Sequence, residues 1–132
     1  MSGVFFDTNV LLYLLSADEG KANTAEALLV QGGTISVQVL NEAASVCTRK
    51  LKMAWPEVHE FLDGVKACCK VLPLSQQLHE QALGLAQRNQ LSVYDALICA
   101  AALSSGAQTL LTEDMHAGLV LGDMTLRNPF KQ

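Results

Sequence analysis

The chain is short of the side chains that build most nucleic-acid or lipid surfaces. Only 5% of its 132 residues are aromatic and 17% are charged. No apolar run approaches the ~18 residues that a membrane span needs. Cations are scarce too: nine Lys and Arg stand against 13 Asp and Glu, a formal net charge of −4, and the pI is about 5.2. A general nucleic-acid binder carries the opposite balance, so any such partner must be gripped by a local patch or through metal ions. The cysteines are Cys47, Cys68, Cys69 and Cys99, and none forms a C-x-x-C pair. This argues against a disulfide framework or zinc site and for a reducing, cytoplasmic setting. The opening MSGVFFDTNVLLYLL lacks a basic leader and carries an acid, unlike a secretory signal.

Aliphatic residues fill the gap. Half of the chain is hydrophobic and mean hydropathy is +0.24, which excludes disorder. The length suits one domain, residues 1–132, without repeat or linker. Gly3 to Phe6 reads as a buried strand ending at Asp7, with Asn9 capping a short helix. Ser16 to Glu19 and Asn23 to Glu26 both have capping-box spacing, which predicts helix starts. Thr34 to Val37, Val71-Leu72, Gln108 to Leu111 and Met124 to Leu126 read as further strands. Between them lie helices over about Val37 to Leu51, from Pro56 toward Cys69, from Ser75, and over Ser92 to Ser105. The last runs Ala-Leu-Ile-Cys-Ala-Ala-Ala-Leu at 96–103, with no polar side, so burial all round is expected. Short apolar strands alternating with helices predict an α/β fold with a mainly parallel sheet of four to five strands and helices on both faces. In such sheets ligands sit beyond the carboxyl ends of the strands.

Four acids stand out against that layout. Asp7 and Asp114 follow strands, while Glu42 and Asp95 sit early in helices. Each has an ordinary explanation taken alone. Asp7 can satisfy the amides of a turn, and Asp95 fits a capping box with Ser92 and suits the helix dipole. Asp114 can be a loop acid and Glu42 a solvated helix residue, yet Glu42 has no basic partner at i±3 or i±4. A parallel layout brings all four to one rim. Two like charges ~4 Å apart repel by ~4 kcal/mol at an effective dielectric of ~20, so such a cluster must take up protons or cations. An all-oxygen site without His or Cys suits Mg²⁺ or Mn²⁺. The chemistry that follows is metal-dependent phosphodiester hydrolysis.

Val-Phe-Phe-Asp-Thr-Asn-Val at 4–10, Asn41-Glu42, Tyr94-Asp95-Ala96-Leu97-Ile98 and Leu111-Thr112-Glu113-Asp114-Met115 resemble the four acidic motifs of PIN domains. The closing Arg127-Asn128-Pro129-Phe130 is similar to the end of many VapC-type toxin ribonucleases. The resemblance covers essentially the whole chain in order. It implies a three-layer α/β/α PIN-like fold and an Mg²⁺- or Mn²⁺-dependent endoribonuclease, the toxin of a toxin–antitoxin pair. It implies Asp7, Glu42, Asp95 and Asp114 as the acidic site. Asp7 and Asp95 are then the direct metal ligands, joined by Asp114, and Glu42 positions the attacking water. Asn9 and Thr112 match polar positions that orient the acids. Glu113 offers a second acid beside Asp114 and leaves that assignment open. A homodimer, an RNA substrate and a cognate antitoxin are further implications.

Arg49, Lys50, Lys52, Lys66 and Lys70 fall within one stretch of an otherwise acidic chain. Arg49, Lys50 and Lys52 are candidate RNA contacts, Arg49 foremost, since it lies seven residues from Glu42 on nearly the same helical stripe. His59, His79 and His116 are scattered and suggest no catalyst. A phosphorylatable receiver domain fits poorly, because Asp7-Thr8-Asn9 replaces a tandem acidic pair and Thr112 stands where a Lys is needed. A solitary PIN-fold nuclease and a non-cleaving PIN-like binding module are the remaining alternatives.

Overall fold

The structure, a computed structural model, describes residues 3–131. Val4–Phe6 forms β1, Thr8–Leu12 forms α1, and a 3-10 turn follows at Tyr13–Leu15. Next come α2 (Glu19–Val30), β2 (Gly33–Ser36), α3 (Val37–Arg49), α4 (Trp55–Cys68) and β3 (Cys69–Leu72). The remaining elements are α5 (Gln76–Asn89), α6 (Val93–Ser104), β4 (Thr109–Leu111), β5 (Val120–Leu121) and β6 (Met124–Arg127).

The strands form one sheet in the order β3-β2-β1-β4-β6-β5. Every pairing is parallel except that of β5 with β6. With helices on its faces this is the expected three-layer α/β/α arrangement. Among the described residues the sheet has six strands, against the four to five that the sequence predicts. The addition is β5, a two-residue strand that hairpins onto β6 with Leu121 opposite Met124. Gly122, at φ +59°, opens its tight turn. Two residues are too few for alternation to show in a sequence.

Local chemistry explains where the helices start. Asp7, not Asn9, caps α1, its carboxylate accepting from Thr8 N. Asn9 lies inside that helix. Asp18 caps α2, accepting from Lys21 N, while the Ser16 hydroxyl takes Asp18 N. Asn23 to Glu26 falls in the interior of α2, where Thr24 bonds back to the Gly20 carbonyl instead of starting a helix. Ser36, Ser75 and Ser92 cap α3, α5 and α6. In α6, Ala96 through Ala102 are all buried, as the unbroken apolar run predicts. That helix packs on α5, α3 and β2.

Phe5, Phe6, Ile35, Leu110 and Leu111 are fully buried and fix the central strands. Burying each such side chain stabilises the fold by roughly 1.5–3 kcal/mol. Phe6 lies so close over β2 that a Cβ on Gly33 would stand 2.5 Å from its ring. The chain steps outward from β1 to β2 to β3, then returns to place β4 on the other side of β1. The carboxyl ends of β1 and β4 therefore flank the topological switch point, the place where open parallel sheets bind ligands.

Candidate active site

Phe6 at the end of β1 is in register with Leu111 at the end of β4. The ladder runs one step further: Asp7 N donates to the Leu111 carbonyl at 2.9 Å, and Thr112 N donates to the Arg127 carbonyl at 2.9 Å. Asp7 and Thr112 thus leave adjacent strands side by side at the switch point. Both are buried, Asp7 to 3% exposure. Asp7 Oδ1 accepts from Thr8 N at 2.7 Å. Its Oδ2 accepts from Thr112 Oγ1 at 2.7 Å and from Asn9 Nδ2 at 3.3 Å. Thr112 Oγ1 also takes Met115 N, which folds the loop after β4 back over the strand. Desolvation outweighs the bonds from Thr112 and Thr8, and Asp95 and Glu42 add repulsion, so the Asp7 carboxyl is pushed up to about 6.

Glu42 is half-buried on α3. Its Oε1 accepts from Thr8 Oγ1 and its Oε2 from Gln38 Nε2, each at 2.9 Å. Asp95 is half-buried in the first turn of α6, where the Ser92 hydroxyl caps its backbone N–H. Desolvation raises its carboxyl above the ordinary range, and Glu42 and Asp114 raise it further against the Ser92 bond. Asp114 is exposed on the loop after β4. Asp7, Glu42 and Asp95 therefore lie in mutual electrostatic reach, and Asp114 lies in reach of Asp95. Among the described residues the ion pairs are Lys21–Glu113 and Lys66–Asp63, and neither relieves these four acids.

Glu113 is placed differently. Its carboxylate accepts from the Tyr13 hydroxyl and from Lys21 Nζ. The Tyr13 bond holds it below the usual carboxylate range despite partial desolvation, with help from Lys21. Its backbone N–H donates to Asn9 Oδ1 at 3.1 Å.

A cleft of about 620 Å³ opens beside the acids, lined by Gln38, Glu42, Ser45, Arg49, Tyr94 and Asp95 among others. Arg49 stands in it, as its helical stripe predicts. Lys50 lines an adjoining recess that shares Ser45 and Arg49. Lys52 is exposed beyond the end of α3 at φ +54° and does not line the cleft. Two side chains that the sequence motifs do not point to, Gln38 and Thr8, hold the two oxygens of Glu42. The signal was a Gln one helical turn before a Glu, and a hydroxyl next to Asp7.

The donor set suits a hard divalent cation. It offers carboxylate oxygens only, and among the described residues no ion pair relieves its mutual repulsion. Cys99 lies within electrostatic reach of Asp7 and Asp95, but burial first, and then those acids, push its thiol up to about 12. It stays neutral and donates instead toward Met115 Sδ. Among the described residues no three of these side chains already close around one ion-sized point.

The sequence profile of the PIN domain matches residues 4–117, a span that holds all four acids. The chain belongs to the PIN-domain family. The shape of this PIN domain is similar to that of a toxin–antitoxin complex from Klebsiella pneumoniae, at 21% identity over 96% of this chain and 97% of that one, TM-score 0.72. It is similar to VapC20 of Mycobacterium tuberculosis, described as a sarcin–ricin loop cleaving toxin, at 22% identity over 84% and 89%, TM-score 0.65. It is also similar to VapBC2 of Rickettsia felis bound to a DNA fragment from their promoter, at 21% identity over 97% and 98%, TM-score 0.69. Identities this low speak to the fold alone. No curated protein matches the chain. Among the described residues of this PIN domain, no helix is long and apolar enough to cross a membrane.

Proposed function

We propose that this PIN domain is an Mg²⁺- or Mn²⁺-dependent endoribonuclease and the toxin of a toxin–antitoxin pair. The observation that carries the reading is Asp7: a buried carboxylate at the sheet's switch point, held by three donors, with Glu42 and Asp95 close enough to disfavour its charge. PIN nucleases generally use divalent metal ions, and this charge pattern is one that such an ion relieves.

Asp7, Asp95 and Asp114 are the residues that would hold the ion. When bound, it supplies charge for the phosphate oxygens and makes water acidic enough to attack near neutral pH. Glu42, fixed by Thr8 and Gln38, orients the attacking water and accepts its proton. Asn9 and Thr112 keep Asp7 in place. Arg49 meets an RNA phosphate in the cleft, with Lys50 beside it, where an acidic chain otherwise repels the backbone. In-line displacement of the 3′ oxygen leaves 5′-phosphate and 3′-hydroxyl ends. The toxin role is favoured by the fold-level similarity to proteins described as toxin–antitoxin complexes. A homodimer, a cytoplasmic setting and a cognate antitoxin go with it.

Incubation of the purified protein with structured RNA tests the reading. Cleavage is expected with Mg²⁺ or Mn²⁺. EDTA should abolish it, as should Asp7→Asn and Asp95→Asn in proteins that remain folded by circular dichroism. Undiminished cutting by both variants ends the assignment.

A further inference from the structure

Glu113 is an acid next to a site acid, yet its contacts lead elsewhere. One carboxylate oxygen accepts from the Tyr13 hydroxyl and the other from Lys21 Nζ at 3.1 Å. Lys21 Nζ also donates to the Tyr13 hydroxyl oxygen at 3.1 Å and sits 4.6 Å from the centre of that ring. Phe130 packs its ring edge-on against Tyr13, centroids 4.6 Å apart. The 3-10 turn and the neighbouring α2 are thereby joined to the loop after β4, about 90 to 100 residues on, and to Phe130 near the C-terminus.

The knot connects to Asp7 through Asn9. The Glu113 backbone N–H donates to Asn9 Oδ1, and this fixes which way the Asn9 amide faces. Asn9 Nδ2 is then left to donate to Asp7 Oδ2. A rotated Asn9 would present its oxygen to the Asp7 carboxylate, lone pair against lone pair. Displacing the Glu113 backbone thus removes a donor from Asp7 and frees Asp114, its neighbour in the chain.

We infer that Lys21, Tyr13 and Glu113 form a clasp that positions Asn9 on Asp7 and holds the Asp114 loop, and that Glu113 is a positioning residue and not an acid of the metal site. The inference rests on the nuclease reading only for its consequence in metal binding. It makes a prediction opposite in sign to simple electrostatics. Lys21 is a cation near a cation site, so by Coulomb's law its loss should tighten Mn²⁺ binding. As part of the clasp, its loss should weaken it.

Two measurements on the full chain test this, with Lys21→Ala, Lys21→Arg, Glu113→Gln and Asp114→Asn beside wild type. Hydrogen exchange by NMR, without metal, reads the backbone amide of Glu113 and the side-chain amide of Asn9. Lys21→Ala should speed exchange at both, and Lys21→Arg should restore protection. Calorimetry with Mn²⁺ should show about 10-fold weaker binding for Lys21→Ala, the lower end of the loss caused by removing outer partners of metal ligands. Glu113→Gln, which keeps a hydrogen-bonding side chain, should lose less than Asp114→Asn. Unchanged exchange in Lys21→Ala overturns the clasp, as does tighter Mn²⁺ binding. Equal losses for Glu113→Gln and Asp114→Asn would make Glu113 a site acid. If wild type takes up no Mn²⁺, the nuclease reading fails and the exchange arm alone decides the clasp.

Discussion

Thr112 Oγ1 donates to Asp7 Oδ2 at 2.7 Å, a buried bond between residues 105 positions apart. It joins the ends of β4 and β1 and uses the hydroxyl twice, since Met115 N donates back to it. Thr112→Val keeps the shape and removes the donor. Leaving a buried carboxylate short of a partner costs about 1–3 kcal/mol. Denaturant titration near neutral pH should show that loss, and Thr112→Ser should recover most of it. A valine variant as stable as wild type would mean the bond contributes nothing.

Asp7 gives the protein a pH signature. Its carboxyl titrates at about 6 in the fold against an ordinary 3.8, so the folded state binds the proton more tightly than the unfolded chain. Its contribution to stability is complete below pH ~4 and is lost as pH rises through ~6. Ionised at neutral pH, the buried group costs roughly 3 kcal/mol, at ~1.4 kcal/mol per tenfold change in proton affinity. In metal-free buffer, Asp7→Asn should therefore gain on wild type between pH 4 and pH 7.5. Paired denaturant titrations check this, because titrating groups out of electrostatic reach of Asp7 cancel in the difference. A difference that does not move with pH would show Asp7 to be an ordinary carboxylate.

Proton and metal compete for the same oxygens. Mn²⁺ affinity should fall steeply below pH ~6, where Asp7 takes up its proton. Calorimetry at pH 5 and pH 7.5 reads this directly. Equal affinity at both would remove Asp7 from the ligand set.

Arg49 stands in the cleft with Glu42 and Asp95. Arg49→Ala should weaken RNA binding by a catalytically silent Asp95→Asn protein and lower the salt slope by about one. Lys52→Ala, outside the cleft, should change the slope less. Identical slopes for all three proteins would place the RNA elsewhere.

The site depends on backbone contact beneath it. A methyl on Gly33 would meet the Phe6 ring at 2.5 Å, one residue before Asp7. Gly33→Ala should cost about 1–3 kcal/mol by overpacking and lower activity by displacing β1. Full stability in this variant would show that Phe6 has room to move.

Much of this was legible in the residues themselves. Apolar runs and helix caps are local: Ser36, Ser75 and Ser92 start helices through their own hydroxyls, and the unbroken run at 96–103 can satisfy itself only by burial. The four acids were visible through their places after strands and early in helices and through the motifs around them, not one by one. Other features had no local signal. Asp7, not Asn9, caps α1, because both can cap and only the strand ladder to Leu111 decides which residue stands at the turn. The strand β5 exists only because β6 offers it a partner.

Sequence alone determined the alternation of strands and helices and where along it the four acids fall, because both follow from side-chain chemistry acting over a few residues. Tertiary structure alone decided which acids face one another. Glu113 and Asp114 are equivalent as neighbours in a chain, but the loop after β4 hands one to Lys21 and Tyr13 and leaves the other in reach of Asp95. The reason is physical: charge interactions depend on distance in space, and the sheet order that places β4 beside β1 sets that distance.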